Sequence, residues 1–325
     1  MNKKLLGLIL SLIGISVLGF GSGAEEGKAT YTCPLCGEEF EAPAAPEVTF
    51  ESQFSDAKSM DSDFCSHAEG GAPLFQTVVS CPKCMYSAYA KEFSHSLRDD
   101  QKARLKAMLE QNPPPASVKQ GQIPAWRSWK YAAWCYKITR SDILFHGQTF
   151  HGAAYCARIE ATAEATAKLS FEGPESVLPL LEELEKKISA ENNRQKKAEL
   201  MLAAARAAQR GGFVDVRDKW ITQLRKEAGS DDAIQQQIEK FSVLVAAEEK
   251  CLQEALACYK TAMYEALIPS RNVPLYNYLI ADIMRRLGRR RSPVVGYYAH
   301  ILEADKARAD LKRLANYFIQ YLNRI

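Results

Sequence analysis

The sequence predicts a mainly α protein, in which a small zinc-ribbon-like β head precedes a long array of α-helices. Two short cysteine pairs, near residues 33 and 81, have the spacing of metal-binding knuckles. From residue 96 onward, apolar residues recur every three or four positions between glycine and proline breaks, as on the buried faces of packed helices. We therefore expect three parts: a leader at 1–24, a cysteine-rich head at 25–95 and a helical tail at 96–325.

The composition is that of an ordinary globular protein and argues against nucleic acid as a partner. The 325 residues are 47% hydrophobic and 25% charged, values at which wholesale disorder is not expected. The formal net charge is only +3, and Lys3 and Lys4 of the leader supply two of the positive charges. A chain this close to neutrality lacks the basic footprint of a nucleic-acid-binding protein.

The first 24 residues have the three parts of a secretory signal. Lys3 and Lys4 form a basic start, residues 5–20 are an uncharged apolar run, and Ser22-Gly23-Ala24 offers a small-x-small cleavage site. We expect cleavage near Ala24 and export to the periplasm or the extracellular space. The alternative is an uncleaved leader that anchors the chain in a membrane, although the run is short for a span of about 20 residues.

The strongest chemical signal is the pair of C-P-x-C knuckles. Their four thiolates are enough to close a tetrahedral site, and we predict one structural Zn2+ held by Cys33, Cys36, Cys81 and Cys84. Strand-like residues flank the knuckles at 30–33, 39–41, 75–79 and 86–89. Strand, knuckle and strand, twice over, is the plan of a zinc ribbon. An oxidising compartment leaves two local disulfides or a redox dithiol as alternatives.

The insertion between the knuckles carries a second group of possible ligands. Residues 42–74 exceed what a compact ribbon uses between its cysteine pairs. Alternate positions hold Asp61, Asp63, Cys65, His67 and Glu69. We expect a polar turn that closes onto the ribbon. A second metal or reactive site is the alternative, as is replacement of a knuckle cysteine by Cys65 and His67.

The remaining cysteines are predicted to be small apolar core residues: Cys65, Cys135, Cys156, Cys251 and Cys258. Only Cys251 and Cys258 have a regular spacing. Two helical turns separate them by about 10–11 Å, which is too far for a disulfide.

Helix follows helix through the tail. The predicted helices cover 99–111, 125–140, 149–169, 177–188, 194–210, 213–224, 232–267, 274–287, a stretch from about 293, and 311–322. The second contains Trp126, Trp129 and Trp134, which we expect to pack against neighbouring helices rather than to bind a ligand. His146 and His151 are five residues apart, a spacing that does not form a metal pair on one helix face.

One stretch near the end of the tail resembles a tetratricopeptide repeat. Ala281 would be the small residue of its first helix, Gly288 its turn and Tyr297 the aromatic of its second helix, whereas Pro293 departs from the pattern. Five arginines gather at this turn: Arg285, Arg286, Arg289, Arg290 and Arg291. We expect a solvated helix end, with an anion or nucleic-acid patch as the alternative.

The order of these parts resembles an uncharacterised bacterial family. The likeness rests on the C-P-x-C-G head, the Asp-x-Asp-Phe-Cys segment, the second C-P-x-C that runs into Tyr-Ser-Ala, an Ala-Trp-Cys-Tyr helix and the late stretch 278–288. Members of that family join a cysteine-rich head, thought to bind zinc, to a tetratricopeptide-like tail. The resemblance implies an architecture and a metal but no activity. Met85, where such a knuckle usually has glycine, and the leader depart from the family's pattern.

These features predict an exported zinc-binding protein whose helical tail binds a protein or peptide partner, with no nucleic-acid partner and a membrane only if the leader is uncleaved. The alternative is an enzyme. A thiol-disulfide oxidoreductase would use one cysteine pair, and a metal-dependent hydrolase would use residues 61–69. Neither is accompanied by a paired base and nucleophile, so no catalytic residue is assigned.

Overall fold

The computed structural model describes residues 27–44, 60–65, 77–114, 123–166, 173–229 and 231–324. Along these residues two small β-hairpins come first and ten α-helices follow. The predicted fold class, mainly α with a small β head, is confirmed. The leader, His67 and Glu69 lie outside the described residues.

Each hairpin consists of two antiparallel strands joined by a cysteine knuckle. The strands are β1 (Lys28–Thr32), β2 (Glu39–Pro43), β3 (Val78–Ser80) and β4 (Ser87–Tyr89). Tyr31 lies opposite Phe40 in the first hairpin, and Val79 lies opposite Ala88 in the second. The first hairpin alternates between exposed and half-buried residues, whereas the second is mostly buried because it packs against the helices.

A short 3-10 turn (Ala90–Ser94) leads from the hairpins into the helical part of the chain. The helices are α1 (Asp99–Gln111), α2 (Ala125–Thr139), α3 (Ile143–Thr166), α4 (Val177–Ala190), α5 (Arg194–Gly211), α6 (Val214–Ala228), α7 (Asp232–Tyr264), α8 (Val273–Arg286), α9 (Arg291–Glu303) and α10 (Ala309–Arg324). Most begin or end within a few residues of the predicted bounds.

Two helix ends differ from the prediction for identifiable reasons. α3 begins at Ile143 instead of residue 149, because the Asp142 carboxylate accepts the N–H of Phe145 (3.1 Å) and caps the first turn. α7 stops at Tyr264, short of residue 267. There Ala266 adopts a left-handed conformation (φ 53°), and the N–H of Leu267 donates to the carbonyl of Ala262 (2.9 Å), which closes the helix end.

The core of the tail is built around α3 and α7, which pack along each other. Two glycines of α3 allow the close approach of its neighbours. A Cβ at Gly152 would lie 2.5 Å from the ring of Trp129 on α2, and a Cβ at Gly147 would lie 2.7 Å from the ring of Tyr259 on α7. Because real side chains do not approach so closely, only glycine fits at either position.

The tryptophans of α2 pack as predicted. Trp126 and Trp129 are buried, and the Trp129 ring lies edge-on to Tyr89 of β4 at 5.6 Å between centroids. The backbone N–H of Tyr89 donates to the Tyr136 hydroxyl (2.7 Å). α2 is therefore the helix that fixes the second hairpin to the tail.

The tail closes with α8, α9 and α10, which pack in succession. Gly288, at φ 60°, makes the turn between α8 and α9, and Ala281 is fully buried between them and their neighbours. In α9 the buried aromatic residue is Tyr298, while Tyr297 is half-buried. Among the described residues, no helix has the length and apolarity needed to cross a membrane.

Candidate metal centre and a buried ionic network

The two knuckles have the same backbone geometry. In the first, the N–H of Cys33 donates to the carbonyl of Glu38 (2.8 Å), and the N–H of Gly37 donates back to the carbonyl of Cys33 (2.9 Å). In the second, Cys81 bonds to Tyr86 (2.8 Å) and Met85 bonds to Cys81 (3.0 Å) in the same pattern. Gly37 and Met85 occupy equivalent left-handed positions, at φ 75° and 65°. Met85 therefore adopts, as a non-glycine residue, the turn that glycine makes in the first knuckle.

The two hairpins bring the four knuckle sulfurs together. Cys33 Sγ lies 3.5 Å from Cys84 Sγ, and Cys36 Sγ lies 3.7 Å from Cys81 Sγ. All four sulfurs are within 4.8 Å of one another. A tetrahedral ion with bonds of about 2.3 Å to sulfur needs sulfurs about 3.8 Å apart, whereas a disulfide needs about 2.05 Å. The spacing fits a tetrahedral thiolate site, and all four cysteines are free.

Hydrogen bonds from backbone amides and neighbouring thiols shift the pKa values of three of these thiols. Hydrogen bonds from Cys33 and Cys84, together with the amides of Cys84 and Lys83, lower the pKa of Cys81 to about 2. Hydrogen bonding to the Cys81 sulfur raises the pKa of Cys33 to about 12, and the same cluster raises the pKa of Cys84. Without a cation, the cluster thus favours a thiolate at Cys81 and disfavours one at Cys33 and at Cys84. A bound cation is what allows several thiolates at this distance.

A small aromatic cluster supports the centre from one side. Phe93 lies edge-on to Tyr31, Phe40 and Tyr86, with ring centroids 5.4–5.7 Å away. On the solvent side, Lys83 of the second knuckle pairs with Glu38 of the first (2.9 Å). Among the described residues of the head, this aromatic cluster is small, and the cysteine centre is the main point at which the two hairpins meet.

The structure thus brings the four predicted metal ligands together, in an arrangement that can bind a metal ion. The remaining cysteines are buried, as predicted for core residues: Cys65, Cys135, Cys156, Cys251 and Cys258. Burial raises the pKa of each of these thiols.

The segment Asp61-Ser62-Asp63 does not close onto the ribbon, contrary to the prediction. It lies fully buried among the helices of the tail, where its side chains bind arginines. The turn is held by two internal hydrogen bonds, from the N–H of Asp61 to the carbonyl of Cys65 (2.9 Å) and from Phe64 to Asp61 (3.0 Å). Phe64 is left-handed (φ 68°), and the segment is a turn, as predicted.

Asp63 forms the centre of this buried ionic network. Its carboxylate accepts two hydrogen bonds from Arg158, at 2.6 and 2.8 Å, and lies 3.4 Å from Nε2 of His151 and from Nη2 of Arg286. The Tyr155 hydroxyl donates to its backbone carbonyl. Burial alone would raise the pKa of Asp63, but the guanidinium groups hold it well below its usual range. Asp63 is therefore ionised although it has no access to water.

Asp61 and Glu248 complete one side of the network. Asp61 accepts from Arg210 (2.9 Å) and from Arg158 (3.1 Å). Glu248 of α7 accepts from Nε and Nη2 of Arg158, at 2.8 and 2.7 Å, and from the side-chain amide of Gln209 (2.7 Å). A single guanidinium, that of Arg158, therefore bridges three carboxylates.

Ser62 and Asp282 complete the other side. The Ser62 hydroxyl accepts from Arg285 (2.9 Å) and Arg286 (2.8 Å) and donates to Asp282 (3.0 Å). Asp282 also accepts directly from Arg285 (2.7 Å) and Arg286 (2.8 Å). Burial raises the pKa of Asp282, yet the two arginines lower it overall. Two tyrosines add bonds, Tyr278 to the Ser62 carbonyl (2.8 Å) and Tyr298 to Asp282 (3.1 Å).

The arginines of the α8 end do not all form a solvated helix terminus, and this corrects the prediction. Arg285 and Arg286 are buried, at 5% and 3% exposure, whereas Arg289, Arg290 and Arg291 are exposed. Each of the two histidines contacts a different group: His146 binds the carbonyl of Tyr136 (3.0 Å), and His151 faces Asp63.

Four charged members of the network were missed from the sequence: Arg158, Arg210, Glu248 and Asp282. A usable signal was present for one of them, since Asp282 interrupts the apolar stretch Leu279-Ile280-Ala281 and Ile283-Met284. A carboxylate inside an apolar helix stripe requires a buried partner. The identity of that partner is not readable from local sequence, because Ser62 and Arg286 are 224 positions apart.

Comparison with known proteins supports part of this picture. Residues 27–162 match a family of uncharacterized proteins conserved in bacteria (DUF2225). The matched region contains the cysteine centre, the Asp61–Asp63 turn and Arg158, and the predicted resemblance to an uncharacterised bacterial family is confirmed. No curated protein and no solved structure matches the chain.

Proposed function

We propose that this is an exported zinc-binding protein, in which one structural Zn2+ stabilises the head and the helical tail binds a protein or peptide partner. The observation that carries the proposal is the convergence of four knuckle sulfurs within 4.8 Å of one another. Sulfur-only ligation favours zinc over magnesium, calcium or manganese. Four protein ligands leave no open coordination position, which favours a structural role over a catalytic one.

The metal would act by cross-linking two hairpins that are weak on their own. Cys33 and Cys36 belong to one hairpin and Cys81 and Cys84 to the other, so the ion joins them across 44 intervening residues. An isolated two-stranded hairpin is at best marginally stable in water. Bound zinc supplies the free energy that so small an apolar cluster lacks.

The partner-binding role is proposed for the tail because of its helical architecture and exposed apolar residues. The pair α8 and α9, with buried Ala281 and the turn at Gly288, supports a tetratricopeptide-like arrangement. At the end of α7, Tyr264 is 92% exposed and Leu267 is 52% exposed. Exposed large apolar side chains in proximity are typical of interaction surfaces.

Cobalt substitution tests the metal proposal. The chain, purified without its metal and titrated anaerobically with Co2+, is expected to develop the visible absorption of tetrahedral thiolate coordination and to saturate at one ion per chain. The Cys81→Ser variant is expected to lose that spectrum, whereas Cys258→Ser, a thiol of the tail, retains it. Saturation at one ion in both variants would contradict the assignment of the ligands.

Export rests on the leader sequence and has its own test. The mass of the chain recovered from producing cells is expected to correspond to a protein that begins after Ala24. Recovery from the periplasm or the medium is the expected fractionation. An intact leader on the bulk of the protein would contradict cleavage without affecting the metal proposal.

A further inference from the structure

The turn Met60–Cys65 is held by the tail in the manner of a bound peptide. Its own two hydrogen bonds fix its shape, and its side chains enter the helical core. Asp61, Ser62 and Asp63 make their polar contacts with α3, α5 and α8. Phe64 packs against Tyr278, with ring centroids 5.6 Å apart. The tail thus recognises two carboxylates, a hydroxyl and an aromatic ring on one short turn.

The tail side of this contact has an excess of positive charge. We define the arginine pocket as Arg158, Arg210, Arg285 and Arg286. Within the described residues, Glu248 and Asp282 are the buried tail carboxylates that pair with it. Asp61 and Asp63 add two further negative charges, each placed against a guanidinium group of the pocket. The turn and the pocket are therefore complementary in charge and in position.

The tail also orients these guanidinium groups by contacts that do not involve the turn. Arg285 donates to the carbonyls of Gly211 (2.9 Å) and Gly212 (2.7 Å). Arg286 donates to the carbonyls of Gln209 (3.2 Å) and Arg210 (3.1 Å). A guanidinium that is already fixed by its own domain loses little entropy on binding a carboxylate, which is how acidic ligands are recognised by preorganised sites.

Stability alone does not account for so many buried charges. Replacing a buried ion pair by apolar residues of similar volume is often neutral or stabilising, whereas the geometry of the charged pair gives selectivity. Arg158 makes a bidentate contact with Asp63, and Arg210 makes a separate contact with Asp61. The two arginines therefore bind two carboxylates that are two positions apart in the sequence. That is a recognition arrangement for an Asp-x-Asp turn.

We propose that the arginine pocket is a binding site for acidic peptide segments with two carboxylates two residues apart, and that the Asp61–Asp63 turn occupies it in cis. An external segment of the same chemistry binds the pocket when the chain's own turn leaves it. The inference rests on the proposed function in one respect, that the tail is the part of the chain that binds a partner.

The test uses the full-length Asp61→Ala/Asp63→Ala variant, which removes the charges of the resident turn. The probe is a fluorescent synthetic peptide that copies residues 58–67, and the control peptide has asparagine in place of both aspartates. We expect the variant to bind the acidic peptide at least tenfold more tightly than the control peptide, and the wild type to bind neither comparably. Adding Arg158→Gln to the variant is expected to abolish binding.

Several outcomes would overturn the inference. They are equal affinity for both peptides, no binding by the folded variant, and binding unaffected by Arg158→Gln. Stabilisation by inorganic phosphate without peptide binding would instead assign the pocket to small oxyanions. If the variant does not fold alone, recovery of helical circular dichroism on addition of the acidic peptide replaces affinity as the readout, and no recovery rejects the inference. Metal content, measured on the same samples, reports separately on the proposed zinc centre.

Discussion

The cysteine centre and the buried ionic network both include residues between Cys33 and Cys84, but they are assembled in opposite ways. In the centre, two local knuckles each place a pair of sulfurs, and the only long-range step is the meeting of two hairpins. In the network, one turn meets side chains from α3, α5 and α8, none of which is near it in sequence. A site made of local motifs is visible in the sequence, whereas a site made by tertiary packing is not.

The largest expected effect separates the two regions. Removing the metal with a chelator under reducing conditions is expected to unfold the hairpins, because structural zinc contributes on the order of 10 kcal/mol in comparable small sites. Amide hydrogen exchange in β1–β4 should accelerate at least roughly a hundredfold, while exchange in α3 and α7 stays near its original rate. Equal loss of protection in the helices would show that the head and the tail do not respond separately to metal.

The next largest effect is expected from a substitution that disrupts the ionic network and leaves the cysteine centre intact. Arg158→Met removes the guanidinium that bridges Asp61, Asp63 and Glu248, leaving buried carboxylates without their main partner. We expect the free energy of unfolding, measured with urea, to fall by about 3–5 kcal/mol. The matched control is Arg289→Met at an exposed position, with an expected change of at most about 0.5 kcal/mol. Similar small losses in both variants would mean that the network contributes little to folding.

An intermediate effect concerns the pH dependence of stability. Burial lowers the pKa of His151, so the unfolded chain takes up a proton at this residue before the folded protein does, and stability falls as the pH drops below about 6.5. The nearby Asp63 and Asp282 carboxylates have lowered pKa values and lose their stabilising contribution only below about pH 4. His151→Gln is expected to flatten the loss that begins below about pH 6.5, by at most about 1.4 kcal/mol per pH unit.

The contribution of Asp282 to the acid phase below about pH 4 serves as the internal control for that variant, because the arginines that lower the pKa of Asp282 are left in place. Burial also lowers the pKa of His146, which retains its own share of the upper phase in His151→Gln. Urea unfolding at a series of pH values measures both phases. An unchanged slope just below about pH 6.5 in the variant would contradict the assignment to His151.

The smallest effect concerns the exposed pair that links the two knuckles. Lys83 and Glu38 are 2.9 Å apart, but both side chains are largely exposed. Lys83→Ala is therefore expected to leave the urea midpoint of unfolding close to that of the wild type and to leave metal affinity within severalfold of the wild type. A large loss of metal affinity would make this pair part of the metal centre and not a surface contact.

The comparison also explains how much of the molecule was predictable. The knuckles, their flanking strands and most helices follow from short-range patterns, such as the C-P-x-C spacing and the apolar stripes. The start of α3 was missed because the Asp142 cap was not recognised and Gly147 lies inside the helix. Local helix propensity predicts the start of a helix poorly where a capping side chain and tertiary contacts determine it.

Only part of the ionic network could be predicted from the sequence. The alternation of Asp61, Asp63 and Cys65 identified a segment rich in polar groups, but its left-handed Phe64 and its position in the tail depend on packing. The sequence around Arg285 and Arg286 is typical of a solvated helix end, but both side chains are buried against Gly212. A Cβ there would lie 2.8 Å from both side chains, so the arginines fold over the end of α5. Only the three-dimensional structure supplies that information.

The most direct test of the central claim is metal analysis of the native protein. The chain is purified from its natural compartment without added metal or chelator, and metal content and free thiols are measured on the same sample. The account predicts one zinc per chain, with the four knuckle thiols masked until a chelator is added and titratable afterwards. A protein without stoichiometric metal, in which Cys33, Cys36, Cys81 and Cys84 are oxidised, would contradict it.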